Sequence, residues 1–594
     1  MITGADYAVI AMYFLFILGA GVLFRKFLTN TSDYFRGGGK MFWWMTGSSA
    51  FMTQFSAWTF IGAASKAYVD GPIIITIFVA NAVGFFINYL LLAPMLRQTR
   101  VITAIQAVRL RLGKGNEQFY TWMNIPIGLI YAAIWLNAVG KFFTQAFPGF
   151  ELVPTIIGLG LVVIVVSVVG GAWAVSATDF IQLTLLMLVT VVAAGFSLHA
   201  VGGAGELIAK LPHESAFGSD VTIPLLAIFW MLTVVLKQII STNSMTNANR
   251  YLNARDSSHA RKAALLASIL FLVGSVIWFI PPMAASILYP DIAGMVSSEF
   301  SNPSELAYVV MAQNILPNGM LGLFIVGMFA ATMSSMDTGL NKNAGYFIIN
   351  FYKPILRKNS SEKEQFWAGN IASLIMGFLV IGIALYLEVL ANQGEGKGLF
   401  EIMLSFGAIV AVPIAVPVIL CLFVKNTPDW AGWSCALVGV VTALLIQYIF
   451  TASWFEELIG RDITGREEGD YLYIATVLLN VALVSGWFFF TKRFYRGYSK
   501  DRQVEVDQFW SDIHRPVEAD ETTSELDAPQ CRIIGWMSTV FGAFMALLMV
   551  IIPNGLTGRG AFFFCAAILL IIGGLLLRSA KRADLRHSAR TAEG

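Results

Sequence analysis

The chain has 594 residues, of which 57% are hydrophobic and only 13% charged, and its mean hydropathy is +0.69. Soluble domains carry about 25% charged residues, so a string of soluble domains is excluded. The net charge of +2 gives no sign of nucleic-acid binding.

Apolar runs occur at 6–24, 43–64, 72–96, 121–146, 153–174, 178–200, 221–248, 263–288, 319–350, 367–390, 399–424, 429–451, 471–491, 532–553 and 560–578. In hydrocarbon a single segment satisfies its own backbone only as a helix, which needs about 20 residues. The fifteen runs predict an all-α membrane protein with about 15 transmembrane helices. The first run has no basic n-region and no small-residue cleavage site before Arg25 and Lys26, so it is read as a retained helix. Run two is interrupted by Gly47-Ser48-Ser49-Ala50-Phe51-Met52-Thr53-Gln54-Phe55-Ser56-Ala57-Trp58-Thr59, too polar and too small for a lipid-facing helix. Lys141, near the end of run four, snorkels. Asp179 opens run six, where capping a helix and binding an ion are both open readings. Lys237 lies near the middle of run seven, which ends in the polar stretch Ser241 to Asn249. Run nine carries Thr332-Met333-Ser334-Ser335-Met336-Asp337-Thr338, and Asp337 either meets an ion or pairs with Lys342 on the same helix.

Two interrupted helices five apart, in runs two and seven, point to an inverted-repeat transporter with its site at the breaks near mid-membrane. Packing through small residues accounts for Gly and Ala there, and less well for Gln54, Asp337 and the Asn residues. Charges at membrane depth mark a pathway. Two carboxylates beside the hydroxyls of Ser334, Ser335 and Thr338 suit a small hard cation.

The loops after odd-numbered runs, with the C-terminal tail, hold 30 of the 39 Lys and Arg residues, and the loops after even-numbered runs hold 6. Positive charge stays on the cytoplasmic side. The N-terminus is therefore expected outside and the C-terminus inside, in a plasma membrane or bacterial inner membrane. Residues 493–531 read as a cytoplasmic linker of mixed charge, and 532–594 as a helical hairpin with a basic tail. Cys421, Cys435, Cys531 and Cys565 are scattered, so neither disulfides nor a zinc site is expected. No His or Cys stands near Asp179 or Asp337 to make a catalytic pair, so no enzyme is expected. No repeated filter loop suggests a channel. A transporter-like sensor stays open as an alternative, although no kinase or receiver domain follows the helices.

Asp6-Tyr7, Asp33-Tyr34-Phe35 with Gly37-Gly38, Trp43-Trp44, Phe60-Ile61-Gly62, Ala67-Tyr68 with Gly71, Gly170-Gly171, Thr178-Asp179 with Gln182, and Ala330-Ala331-Thr332-Met333-Ser334-Ser335 follow in order. Together they resemble the solute:sodium symporter family, which includes sodium/glucose, sodium/proline and sodium/sialic acid symporters. The resemblance runs to about residue 425. It implies a five-plus-five inverted-repeat core of the leucine-transporter type, with halves at 43–220 and 221–425. The segment 1–42 is then a first peripheral helix and loop, and 426–492 are peripheral helices. It implies Na+ as the coupling ion and a small solute as cargo, in a lipid bilayer and with no nucleic acid. The sodium ligands implied are the carbonyls of Met52, Phe55 and Ala331 and the hydroxyls of Ser334 and Ser335. A second ion or a release path maps to Asp179, Ser334, Asp337 and Thr338. Asp337 and Thr338 stand where sialic acid symporters have serines, a change that either strengthens that ion site or replaces the ion with a proton or an internal pair, so proton coupling is the alternative. The implied solute positions are Thr59, Phe78, Asn81, Lys237, Ser241 and Leu404. Thr59, Phe78 and Leu404 lack the polar groups a sugar needs, and run eleven carries Pro413 and Pro417. Lys237 suits an anion such as a carboxylate.

Overall fold

The computed structural model describes residues 3–24, 39–147, 149–211, 217–218, 220–247, 249–296, 300, 302–393, 398–518 and 527–593. Asp33, Tyr34, Phe35, Gly37, Gly38, Ala248 and the acidic stretch 519–526 lie outside them. Among the described residues the structure is helical, with one isolated bridge between Met41 and Ala254. Twelve helices are long and apolar enough to cross a membrane, and two shorter apolar helices, Gly4–Phe16 and Leu152–Val168, join them. The expected runs fall on helical segments, but neighbouring runs merge: the second and third meet in one stretch, Ala57–Gln98, and the fifth and sixth lie on one continuous helix, Leu152–Val201.

The helices begin where side chains satisfy free N–H groups. Thr103 and Gln106 form a capping box at the start of α5, Ala104–Ala146, and Thr464 and Glu467 do the same for α14, Gly465–Thr491. Asp256 caps α8, Ser257–Ile277, by accepting from the His259 backbone at 2.7 Å. Helix α6, Leu152–Val201, ends on Gly202 at φ 102°, the left-handed conformation that glycine adopts without strain.

Helix α9, Met320–Phe347, is the centre of the bundle, and its apolar window is 100% buried. It packs against α5, α6, α1 (Gly4–Phe24) and α10 (Glu362–Gln393). Lipid tails are as apolar as leucine, so close approach at small residues has to hold such helices together. A Cβ added at Gly327 would meet Val189 at 3.1 Å, and one at Gly160 would meet Ile381 at 2.5 Å. The first helix is fastened by Asp6, which accepts from the Gly322 backbone N–H at 2.6 Å.

One end of the bundle is rich in basic residues that bind one another's loops. Arg97 Nε donates to the Ala254 carbonyl at 2.5 Å, and Arg502 pairs with Asp429 at 3.1 Å. Within the segment read as a linker, α15, Lys500–His514, buries Val506, Phe509 and Ile513 against this end. Its termination there is held by Arg100, which donates to the Arg515 carbonyl at 3.0 Å. Helices α16, Asp527–Ile551, and α17, Leu556–Glu593, pack against each other.

Candidate functional site

The first interruption is where the sequence puts it. Helix α2, Trp43–Met52, stops, and helical structure returns only as a 3-10 turn at Ala57–Thr59 and α3, Gly62–Asp70. The break leaves carbonyls that a continuous helix would use. Ser335 Oγ donates to the Met52 carbonyl at 2.8 Å and to the Phe55 carbonyl at 2.7 Å. Thr332 Oγ1 accepts from the Ala57 N–H at 2.9 Å. Thr332 and Ser335 are three residues apart and share one face of α9. Ala331 is fully buried beside them.

The neighbouring face of α9 meets α6. Ser334 Oγ donates to Asp179 Oδ1, and Ser167 Oγ donates to Asp337 Oδ1. Both aspartates are buried, at 0% and 2% exposure. Asp179 Oδ2 and Thr338 Oγ1 are buried with no hydrogen-bond partner. No ion pair joins Asp337 to Lys342 among the described residues; Ser167 takes that place. Ser167 escaped the sequence reading, although a lone serine inside the apolar run Val165 to Val169 was its signal. The two carboxylates and the hydroxyls of Ser334, Ser167 and Thr338 make a set of hard oxygens where α9 meets α6, and Ser334 is the chain neighbour of Ser335, which meets the Met52 and Phe55 carbonyls.

The second interruption differs from expectation. Helix α7, Pro224–Asn243, runs unbroken through Lys237, and its backbone leaves the helical region only at Ser244. The polar stretch is a helix end and not a mid-membrane break. Its side chains cap it: Asn247 Nδ2 donates to the Ser241 carbonyl at 2.5 Å, and Asn243 Nδ2 to the Gly84 carbonyl at 3.1 Å. Asn, Ser and Thr compete for backbone groups in this way wherever a helix ends, so composition alone does not separate the two cases.

The implied solute positions separate into four places. Lys237 Nζ donates to Gln238 Oε1 at 2.9 Å, and Gln238 Nε2 donates to Asn81 Oδ1 at 3.0 Å. Ser241, one turn further along α7, lies on the Lys237 face. A Cβ on Gly407 would stand 3.2 Å from Lys237 Nζ and 3.5 Å from Tyr131 Oη. Gly407 opens a π-helical turn, Gly407–Ala411, between α11, Leu399–Phe406, and α12, Val412–Leu420. Phe78 sits instead in an aromatic cluster, with ring centroids 4.9 Å from Phe279 and 5.7 Å from Trp278. Thr59 is buried beside the first break. Leu404 lines a cavity of about 480 Å³ that opens at the less basic end, with Trp230, Phe400, Lys66, Asp70, Arg466 and Tyr473 among its walls. Below it Trp58 stacks on Phe400 at 5.9 Å and donates from Nε1 to the Leu399 carbonyl at 3.0 Å. Arg466 pairs with Asp70 at 2.7 Å in the wall of this cavity.

Lys141 is the second correction. It does not snorkel; it is 4% exposed and pairs with Glu305 at 2.9 Å and Glu388 at 3.7 Å. Glu305 also accepts from the Leu399 N–H at 2.6 Å, and Glu388 from Asn137 Nδ2 at 3.2 Å. Two acidic side chains far apart in sequence converge on one ammonium, and the folded chain alone brings them there.

A model of the sodium:solute symporter family matches residues 34–442. The human sodium/myo-inositol cotransporter 2 is 28% identical over 537 residues, 81% of this chain and 76% of the relative. The sheep (Ovis aries) sodium/glucose cotransporter 1 is 24% identical over 585 residues, 88% of this chain and 85% of the relative. A solved Na+-coupled sialic acid symporter, in a substrate-bound outward-open state, superposes with a TM-score of 0.67. It is 20% identical and covers 84% of this chain and 99% of its own, a likeness of fold.

Proposed function

This chain belongs to the sodium:solute symporter family, and we propose that the small solute it moves with sodium is an organic anion whose carboxylate is held by Lys237. One observation carries the reading. Lys237 has a single neutral partner, Gln238, and no carboxylate within ion-pair distance among the described residues. A half-buried ammonium without a counter-charge is costly at membrane depth, and an anionic solute supplies what the protein leaves out. Gln238 and Asn81 then stand ready to hydrogen-bond the solute's other oxygens, and Gly407 and Tyr131 pack beside the ammonium.

In this reading sodium binds to the carbonyls of Met52, Phe55 and Ala331 and the hydroxyls of Ser334 and Ser335. Ser335 turns its proton away from the two carbonyls as its oxygen joins them on the ion. That exchange links ion binding to the geometry of the broken helix, and through Thr59 and Phe78 to the solute space. Asp179, Asp337, Ser167 and Thr338 form a second cation site or the path by which the ion leaves. The basic end faces the cytoplasm, the N-terminus lies outside, and transport proceeds by alternating access without chemical change to the solute.

A second reading, uptake of a neutral polyol, draws on the Asn81 and Gln238 amides and on the myo-inositol relatives. Proteoliposomes with an inward sodium gradient, offered radiolabelled carboxylates and polyols in separate pools, separate the two. Sodium-driven uptake confined to the carboxylate pool is the expected result, and uptake confined to the polyol pool overturns the anion assignment.

A further inference from the structure

We propose that the basic end of the bundle contains a binding site for a small inorganic anion of halide size, formed by Arg250 and Lys342 with Asn341 and Thr338. It is separate from the solute site at Lys237 and does not depend on that reading. These side chains line a partly open cavity of about 50 Å³, whose other walls include Ser49, Thr53 and Ser176.

The cavity is built from polar groups that lack partners. Arg250 is 7% exposed; its Nε donates to the Asn247 carbonyl at 3.1 Å and its guanidinium lies 5.3 Å over the Phe85 ring, but Nη1 has no partner. Asn341 is 6% exposed, and neither atom of its amide is bonded. Thr338 Oγ1 is also buried and unbonded. Lys342 makes no ion pair among the described residues and lies close enough to Arg250 to feel its charge. Leaving one buried donor unsatisfied is already unfavourable, and placing two uncompensated cations together is more so. Among the described residues no carboxylate stands within ion-pair distance of Arg250 or Lys342; Asp337 accepts from Ser167 and Asp179 from Ser334.

A halide answers all four groups at once. It accepts from Arg250 Nη1, Lys342 Nζ, Asn341 Nδ2 and the Thr338 hydroxyl, and it offsets the repulsion between the cations. The cavity, about 50 Å³, has room for a small ion and a few water molecules. The walls come from both halves of the repeat, with Ser49 and Thr53 from the first and Arg250, Thr338, Asn341 and Lys342 from the second. A bound anion therefore holds this end closed and favours the conformation open at the other end.

The test is thermal unfolding of the purified full-length protein at constant sodium, with chloride or bromide replacing gluconate stepwise, and with acetate in a parallel series. Chloride and bromide are expected to raise the midpoint saturably over gluconate. Lys342→Met and Asn341→Leu should each raise the half-saturating halide concentration by about tenfold or more. Lys237→Met should leave the halide response intact. Equal midpoints in chloride and gluconate overturn the proposal. So does a response to acetate but not to halide, which would mark a carboxylate site, and so does loss of the halide response in Lys237→Met, which would place the ion at the solute site.

Discussion

Replacing Lys237 with methionine separates the charge of this residue from its bulk. Methionine keeps most of the side-chain length, so the packing against Gly407 survives. The ammonium has three donors, and the structure uses one of them on Gln238 at 2.9 Å. A solute carboxylate can take a second donor without displacing the first, so the full charge-assisted bond, about 1.5–3 kcal/mol, is lost in the variant. At about 1.4 kcal/mol per tenfold, the half-saturating solute concentration should rise by about 10- to 150-fold. The empty protein loses a lone cation, so its thermal midpoint should hold or rise. The assay is sodium-driven uptake into proteoliposomes over a range of solute concentrations, beside an unfolding scan. Lys237→Arg should recover part of the affinity. Unchanged affinity with a lowered midpoint would show that Lys237 supports the fold and not the solute, and the reasoning would fail.

Ser335→Ala removes the hydroxyl that bridges the Met52 and Phe55 carbonyls; half-maximal sodium should rise by about tenfold while solute affinity at saturating sodium is nearly restored, and an unchanged sodium curve would remove the ion from this place. If Asp179 and Asp337 hold a second ion, Asn at either position should lower the Hill coefficient for sodium from about two towards about one. Lys141→Met leaves Glu305 and Glu388 buried without a cation and should cost about 3–5 kcal/mol of stability; adding Glu305→Gln and Glu388→Gln should recover much of the loss in an unfolding scan. Hydrogen bonds and charges from His259, with Arg255, hold the Asp256 carboxyl at about 2 against the opposing effect of burial, below its ordinary 3.8. Because the folded value is depressed, this carboxylate stabilises the fold above the ordinary value and loses its effect as pH falls towards about 2, so the wild-type advantage over Asp256→Asn should shrink below about pH 4.

The helical character and order of the membrane segments were legible because hydrocarbon leaves the backbone no other choice, although neighbouring runs merge, so that twelve long and two shorter apolar helices stand among the described residues where about fifteen were expected. The break after Met52 was legible too, since a helix facing lipid or a partner has no use for Gln54 among so many small residues. The hydroxyls of Ser334 and Ser335 could be named from sequence, but their directions could not. Only the packing of α9 against α2 and α6 sends Ser335 to the carbonyls and Ser334 to Asp179. The polar stretch after Ser241 was misplaced because Asn and Ser look alike at a break and at a helix end. Lys141 was misjudged because its partners are 164 and 247 positions away. Periodicity and hydropathy describe one segment at a time, so they fix which segments enter the membrane. Which charges meet inside it depends on contacts between segments distant in the chain, and those exist only once the bundle has closed.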